Sequence, residues 1–151
     1  VIDLRDNGGG YLTAATDILD LFFTSDEVIY QMKEKNSAAK KYYAESDKKY
    51  EFENGYILVN ENTASSAEIM TAAMKDLGKA KIVGTKTFGK GITQKIEKLS
   101  DGSGLVYTDA ELRSPNGTTW HGTGITPDVV VEYDKNAGTD AQLNAAMNLL
   151  K

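Results

Sequence analysis

Residues 56–85 read YILVNENTASSAEIMTAAMKDLGKAKIVGT, and their reading decides the fold. YILVN has the short apolar look of a buried strand, and KIVGT that of a second. Between them an Ala-rich helix is expected from about Ser65 to Leu77. Ser65 and Glu68 carry the S-x-x-E spacing of a capping box, in which each side chain satisfies a backbone N–H of the first turn. Strand, helix and strand in succession make the organisation mixed α/β.

The flanks extend the pattern. Upstream, VIDL reads as a buried strand running into the turn RDNGGG, residues 5–10. Leu12, Ala15, Ile18, Leu19 and Phe22 recur at helical spacing and predict an amphipathic helix over 11–23. EVIYQMK and KKYYAES suggest a hairpin. The charged stretch Lys33–Glu53 reads as its solvated surface rather than as a binding tract. Downstream, ITQKIEKL and GLVYTDAELRS flank the turn SDGSG, and DVVVEY is a last strand. Residues 140–150 form a last helix with Leu143, Ala146, Met147 and Leu150 on one face. Thr139 and Gln142 are placed as its capping box.

Composition excludes several function classes. The 151 residues suit one domain, 40% hydrophobic and 26% charged. A net charge of −5 argues against nucleic acid as the main partner. With no cysteine there is no disulfide, thiolate metal site or cysteine nucleophile. No run approaches the roughly 18 consecutive apolar residues of a membrane span. No His/Asp/Glu cluster suggests a metal, and RDNGGG lacks the phosphate-cradling patterns, so no cofactor is expected. The start at Val1, inside an apolar run and without an initiator Met, is read as internal to a longer chain.

Ser65 has two readings. It caps the helix, or it is a nucleophile whose oxyanion would be steadied by the unpaired N–H groups at the positive end of that helix. A serine hydroxyl needs a base. His121 in TTWHGTGITPD is the one histidine, and its Gly- and Pro-rich surroundings suit a loop. The other candidate is Lys90 in TFGKGITQ, flanked by Gly89 and Gly91 with Phe88 and Ile92 nearby. Glycines leave the backbone free to turn this lysine inward, where burial would make its amine a usable base.

Taken together and in order, DLRDNGGG, LVNENTASSAEIMTAAMKD, IVGTKTFGKGITQ and GTGITPDVVVE resemble the carboxyl-terminal processing, or tail-specific, proteases. The resemblance implies a ClpP/crotonase-like superhelical α/β core, of which residues 1–151 would be the C-terminal part. No PDZ domain is present in it. It implies a serine endopeptidase with a Ser-Lys dyad that cleaves proteins near their C-termini. Ser65 falls on the family's nucleophile, Lys90 on its base and Gln94 on the residue that orients the base. The oxyanion amides fall on Ser66 and on Gly9 or Gly10. The implied partners are protein or peptide substrates, held as an added strand through their C-terminal region. The implied location is extracytoplasmic: periplasmic, secreted or membrane-anchored, with any anchor in an N-terminal segment not present here. Without that segment and the upstream core the piece is expected to be inactive alone. The alternative is a non-catalytic ligand- or peptide-binding module on the same fold.

Two departures stand out. Ser66 and Ala67 occupy positions where the family often has Ala then Ser, and Gly8 stands where Pro is common. Geometry adds two demands. Asp76 lies eleven residues along the helix from Ser65, about 16 Å at 1.5 Å per residue, which leaves it a structural role. Lys90 and Gln94 would be about 13 Å apart on a straight strand, so an orienting role requires a turn or bulge at Gly91.

Overall fold

The computed structural model describes residues 1–47, 50, 51, 53–134 and 136–150. In chain order the elements are β1 (Ile2–Asp3), α1 (Leu12–Leu19), β2 (Val28–Glu34), β3 (Lys40–Tyr43), β4 (Tyr56–Val59), α2 (Ser66–Asp76), β5 (Lys81–Gly84), β6 (Ile92–Lys98), β7 (Gly104–Arg113), β8 (Val129–Val130) and α3 (Ala141–Leu149). They make the expected mixed α/β fold, with one sheet ordered β1-β4-β5-β8 and another ordered β3-β2-β7-β6. Every pair in the first is parallel, and every pair in the second antiparallel.

YILV is buried at all four positions because both faces of β4 are covered. Ile57 and Val59 join Ile82 and the α2 residues Ile69, Met70, Ala73 and Met74 in the main core. Tyr56 and Leu58 alternate to the other face, where they meet Val83 and Ala146 of α3. α2 is buried from Ser66 through Met74, enclosed by the parallel sheet, α1 and β2. The loops leaving the C-terminal ends of β1 and β4 therefore emerge together at the N-terminal end of α2. The crevice beyond the carboxyl ends of parallel strands is where such sheets bind ligands.

Several elements depart from expectation. α1 ends at Leu19, short of residue 23, because Leu21 and Phe22 N–H bond three residues back to Ile18 and Leu19. That tighter turn drives Phe23 fully into the core. The last strand shrinks to Val129–Val130, since its partner β5 runs out at Gly84, whose carbonyl takes the Val131 N–H. Asp140, not Thr139, caps α3 by accepting from Leu143 N–H at 3.0 Å. Of the apolar face foreseen there, Ala146 is buried while Leu143, Met147 and Leu150 are exposed. The charged hairpin stretch is solvated as expected, apart from residues 48, 49 and 52, which lie outside the described residues.

Candidate active site

Ser65 ends the loop after β4 and has φ 58° and ψ −122°. A positive φ is rare for a non-glycine residue and costs on the order of 1–3 kcal/mol. It gives the sharp strand-to-helix turn that exposes a side chain at the mouth of the helix, as in a nucleophile elbow. The two residues before it are themselves anchored. The Ala64 N–H donates to the Asn7 carbonyl at 2.9 Å, and the Thr63 hydroxyl to the Leu4 carbonyl at 2.7 Å. Gly9, with φ 89°, lies directly against the turn. A methyl group on it would sit 2.6 Å from the Ala64 carbonyl oxygen and 2.8 Å from Ser65 Cβ.

The glutamate half of the capping box forms, with Ser65 N–H donating to Glu68 Oε2 at 3.0 Å, while the Glu68 N–H bonds to the Ser65 carbonyl at 2.8 Å. The glutamate does more than cap. Fully buried, it accepts from the Lys90 N–H through Oε2 at 2.8 Å. Its Oε1 accepts from the Gly89 N–H at 2.8 Å and from the Thr87 hydroxyl at 2.6 Å. One carboxylate thus ties the Ser65 backbone to the Lys90 backbone, and four donors satisfy its lone pairs. The S-x-x-E spacing discloses the first of these bonds. The other three come from a segment some twenty residues away that no local pattern links to Glu68.

Lys90 follows on an extended turn whose inner side is filled. A methyl group at Gly89 would lie 2.8 Å from Gly124 N, and one at Gly91 3.0 Å from His121 N. The loop 120–124 therefore packs against the backbone of the turn, and the Lys90 side chain is exposed rather than buried. The expectation of a lysine enclosed between Gly89 and Gly91 is corrected: the glycines bury the main chain and leave the amine to the cleft. The bend before Gln94 also lies later than expected. The register slips between Thr93 and Gln94, where Thr93 pairs with Ala110 and Gln94 with Thr108.

A cleft of about 350 Å³ gathers Gly10, Ser65, Ser66, Lys90 and Gln94. Its other walls are apolar: Leu12, Ile69, Ile92, Ile96, Val106 and Leu112, with Thr93 among them. Ser66 is the first residue of α2, so its N–H is one of those left without an intrahelical partner. The Gly9 N–H is taken by Asn7 Oδ1 at 2.9 Å. His121 is exposed and does not line the cleft. Asp76 lies at the far end of α2, where Oδ2 accepts from Asn116 N–H at 3.0 Å. A larger polar cleft of about 530 Å³ opens at that end; Asp76 lines it, and it shares no residue with the first cleft. Two of its lysines are already paired, Lys75 with Asp128 and Lys79 with Glu27, each at 2.8 Å. Among the described residues, no three His, Asp or Glu side chains are grouped to hold a metal, and no helix is long and apolar enough to cross a membrane.

Behind the glycine loop, Arg5 pairs with Asp3 at 2.6 Å and with Asp140 at 2.8 Å. Its hydrogen bonds hold both carboxyls below the usual carboxylate range.

Residues 1–131 match the family model of peptidase family S41. A probable CtpA-like serine protease of Staphylococcus epidermidis is 41% identical over 136 residues, 89% of this chain and 28% of that protein. One from Staphylococcus saprophyticus is 41% identical over 133 residues, 87% of this chain and 27% of the relative. The chain thus spans under a third of the length of these curated relatives. Among solved structures, a photosystem II D1 C-terminal processing protease superposes with a TM-score of 0.74 at 30% identity, over 86% of this chain and 33% of that one.

Proposed function

The chain belongs to peptidase family S41, and on that premise we propose that it carries the catalytic dyad of a serine endopeptidase, with Ser65 as nucleophile and Lys90 as base. The observation that carries the reading is the Glu68 carboxylate, which binds the Ser65 and Lys90 backbones at 3.0 and 2.8 Å beside one cleft. The Ser65 hydroxyl attacks a scissile carbonyl while the neutral Lys90 amine takes its proton. The lysine then protonates the leaving amine, and water hydrolyses the acyl-enzyme. Gln94 orients the amine from the start of the bulged strand. The developing oxyanion is met by Ser66 N–H, at the positive end of α2, and by an amide of the glycine loop. Gly10 suits that part better than Gly9, because Gly10 lines the cleft and the Gly9 N–H is engaged with Asn7.

A lysine becomes an effective base when its surroundings exclude water. The exposed Lys90 side chain therefore assigns part of the enclosure to bound substrate. β6 is an edge strand and contributes Ile92, Thr93, Gln94 and Ile96 to the cleft, so an extended peptide can add to it as a further strand. The substrates are proteins entered near their C-termini, encountered outside the cytoplasm. In the test, the whole protein is given an unstructured polypeptide with a free apolar tail, and the same polypeptide with that tail removed. The tailed form should be cut near its C-terminus and the truncated form spared, with all cleavage lost in Ser65→Ala. Equal cleavage of both forms would refute the C-terminal preference, and cleavage surviving Ser65→Ala would refute the nucleophile.

A further inference from the structure

The family match ends at residue 131, yet the chain beyond it returns to the site from behind. α3 is thinly attached by apolar contact, since Gln142 and Ala146 are its buried residues. Polar bonds hold both of its ends: the Tyr56 hydroxyl donates to the Leu149 carbonyl at 2.9 Å, and the charged contacts lie at its N-terminus. Arg5 Nη1 donates to Asp140 Oδ1 at 2.9 Å and to Gln142 Oε1 at 3.2 Å. Gln142 Nε2 in turn donates to the Val131 carbonyl at 2.8 Å. The Arg5 side chain is 15% exposed and that of Asp140 31%, so these charge-assisted bonds are partly shielded from water.

Arg5 immediately precedes the loop 6–10 in the chain. Asn7 N–H closes a turn on the Leu4 carbonyl at 3.2 Å, and Asn7 Oδ1 holds the Gly9 N–H. The opposite side of the turn is fastened to the nucleophile loop, where Asp6 Oδ1 accepts from Asn60 and Asn62 side chains at 2.9 and 2.8 Å. The turn is therefore pinned from two sides. One pin is internal to the site, and the other is α3.

We propose that Arg5 is a positioning residue for the oxyanion loop and that α3 acts through it as a brace. When α3 is docked, the Arg5–Asp140–Gln142 contacts keep Gly10 in register with Ser66. When it is displaced, Arg5 keeps its pairing with Asp3 but the loop loses its tie to α3, while Ser65 and Lys90 stay where Glu68 holds them. This inference rests on the dyad and oxyanion roles proposed above.

The test uses the whole protein with Arg5→Gln, Asp140→Asn and the double variant. Asparagine is as good an N-cap as aspartate, so Asp140→Asn removes the ion pair and leaves the helix capped. Turnover of a peptide is measured per Ser65 that reacts with a serine-directed probe, with KM and Tm alongside. An interaction felt in the transition state lowers kcat without raising KM. Each single variant should lose about tenfold in kcat, less than the roughly 100- to 1,000-fold cost of deleting an oxyanion donor, with KM within about twofold. Arg5→Gln also loses the Asp3 pairing, and the double variant should be no slower than it, since the Arg5–Asp140 contact is already absent there. Unchanged kcat per reactive serine, or losses that multiply in the double variant, would overturn the brace. If Arg5→Gln does not fold, Asp140→Asn decides alone. A wild-type protein that never acylates Ser65 overturns the dyad and this inference with it, whereas a reactive wild type with equally reactive variants overturns the brace only.

Discussion

Ser65 at φ 58° is an expensive backbone, and the residues that enforce it are mostly not its neighbours in sequence. Gly9 is one of them. It already has φ 89°, and a methyl group there would meet the Ala64 carbonyl at 2.6 Å and Ser66 N at 2.9 Å, atoms of the main chain that have little room to give. Gly8, one residue earlier, has nothing within 4 Å of the same position. Gly9→Ala should therefore slow acylation of Ser65 by about 100-fold or more, the scale of a displaced oxyanion group, while Gly8→Ala stays within about threefold of wild type. Serine-probe labelling rates of the two variants compare them directly, and equal rates would contradict the contact. In the sequence both glycines look alike, and only the approach of the second loop separates them. Glu68 teaches the same lesson. Its spacing from Ser65 shows a cap, but its role as the tether of Lys90 depends on tertiary contacts with Thr87, Gly89 and Lys90.

Elements whose pattern is set by their own residues were legible. β4, α2 and β5 appear within a residue or so of the expected spans because YILV and the IVG of β5 are buried and α2 is buried from Ser66 through Met74. Ends decided by a partner were not. β8 stops where β5 stops, and the α3 cap moves to Asp140 because that carboxylate also answers Arg5. The same pairing makes α3 acid-sensitive. Asp140 and Asp3 titrate below their ordinary value of 3.8, chiefly through hydrogen bonds from Arg5. A depressed carboxyl contributes stability that is complete above the unfolded value and lost as pH falls through the folded one. Amide exchange in residues 141–149 should thus accelerate relative to α2 as pH drops below about 4, after correction for the intrinsic rate. Asp140→Asn should remove most of that acid dependence. Equal relative protection of α3 at pH 7 and pH 3 would contradict the assignment.

At the scale of the whole molecule, the site is a seam between two sheets. The parallel sheet delivers the glycine loop and Ser65, and the antiparallel sheet brings Gln94 and the apolar wall of Ile92, Ile96 and Val106. Spacing raised Ser65 and Lys90 as candidates, whereas Gly10, Ser66 and Gln94, which also line this seam, were named by the resemblance to the processing proteases. Spacing could not foresee that the Lys90 side chain is exposed, since that depends on the 120–124 loop filling the opposite side of the turn. The chain spans a third or less of the length of these relatives, and under the proposal above the enclosure of the lysine falls to bound substrate. The central claim is that Ser65 attacks with help from Lys90. An activated peptide ester, quenched during a single turnover of the whole protein, digested and mapped by mass spectrometry, tests it most directly. The acyl group should be found on Ser65, and it should be absent from a folded Lys90→Arg protein, whose guanidinium does not give up its proton in the working range. An acyl group on Ser66 instead, or near-normal acylation in Lys90→Arg, would contradict the account.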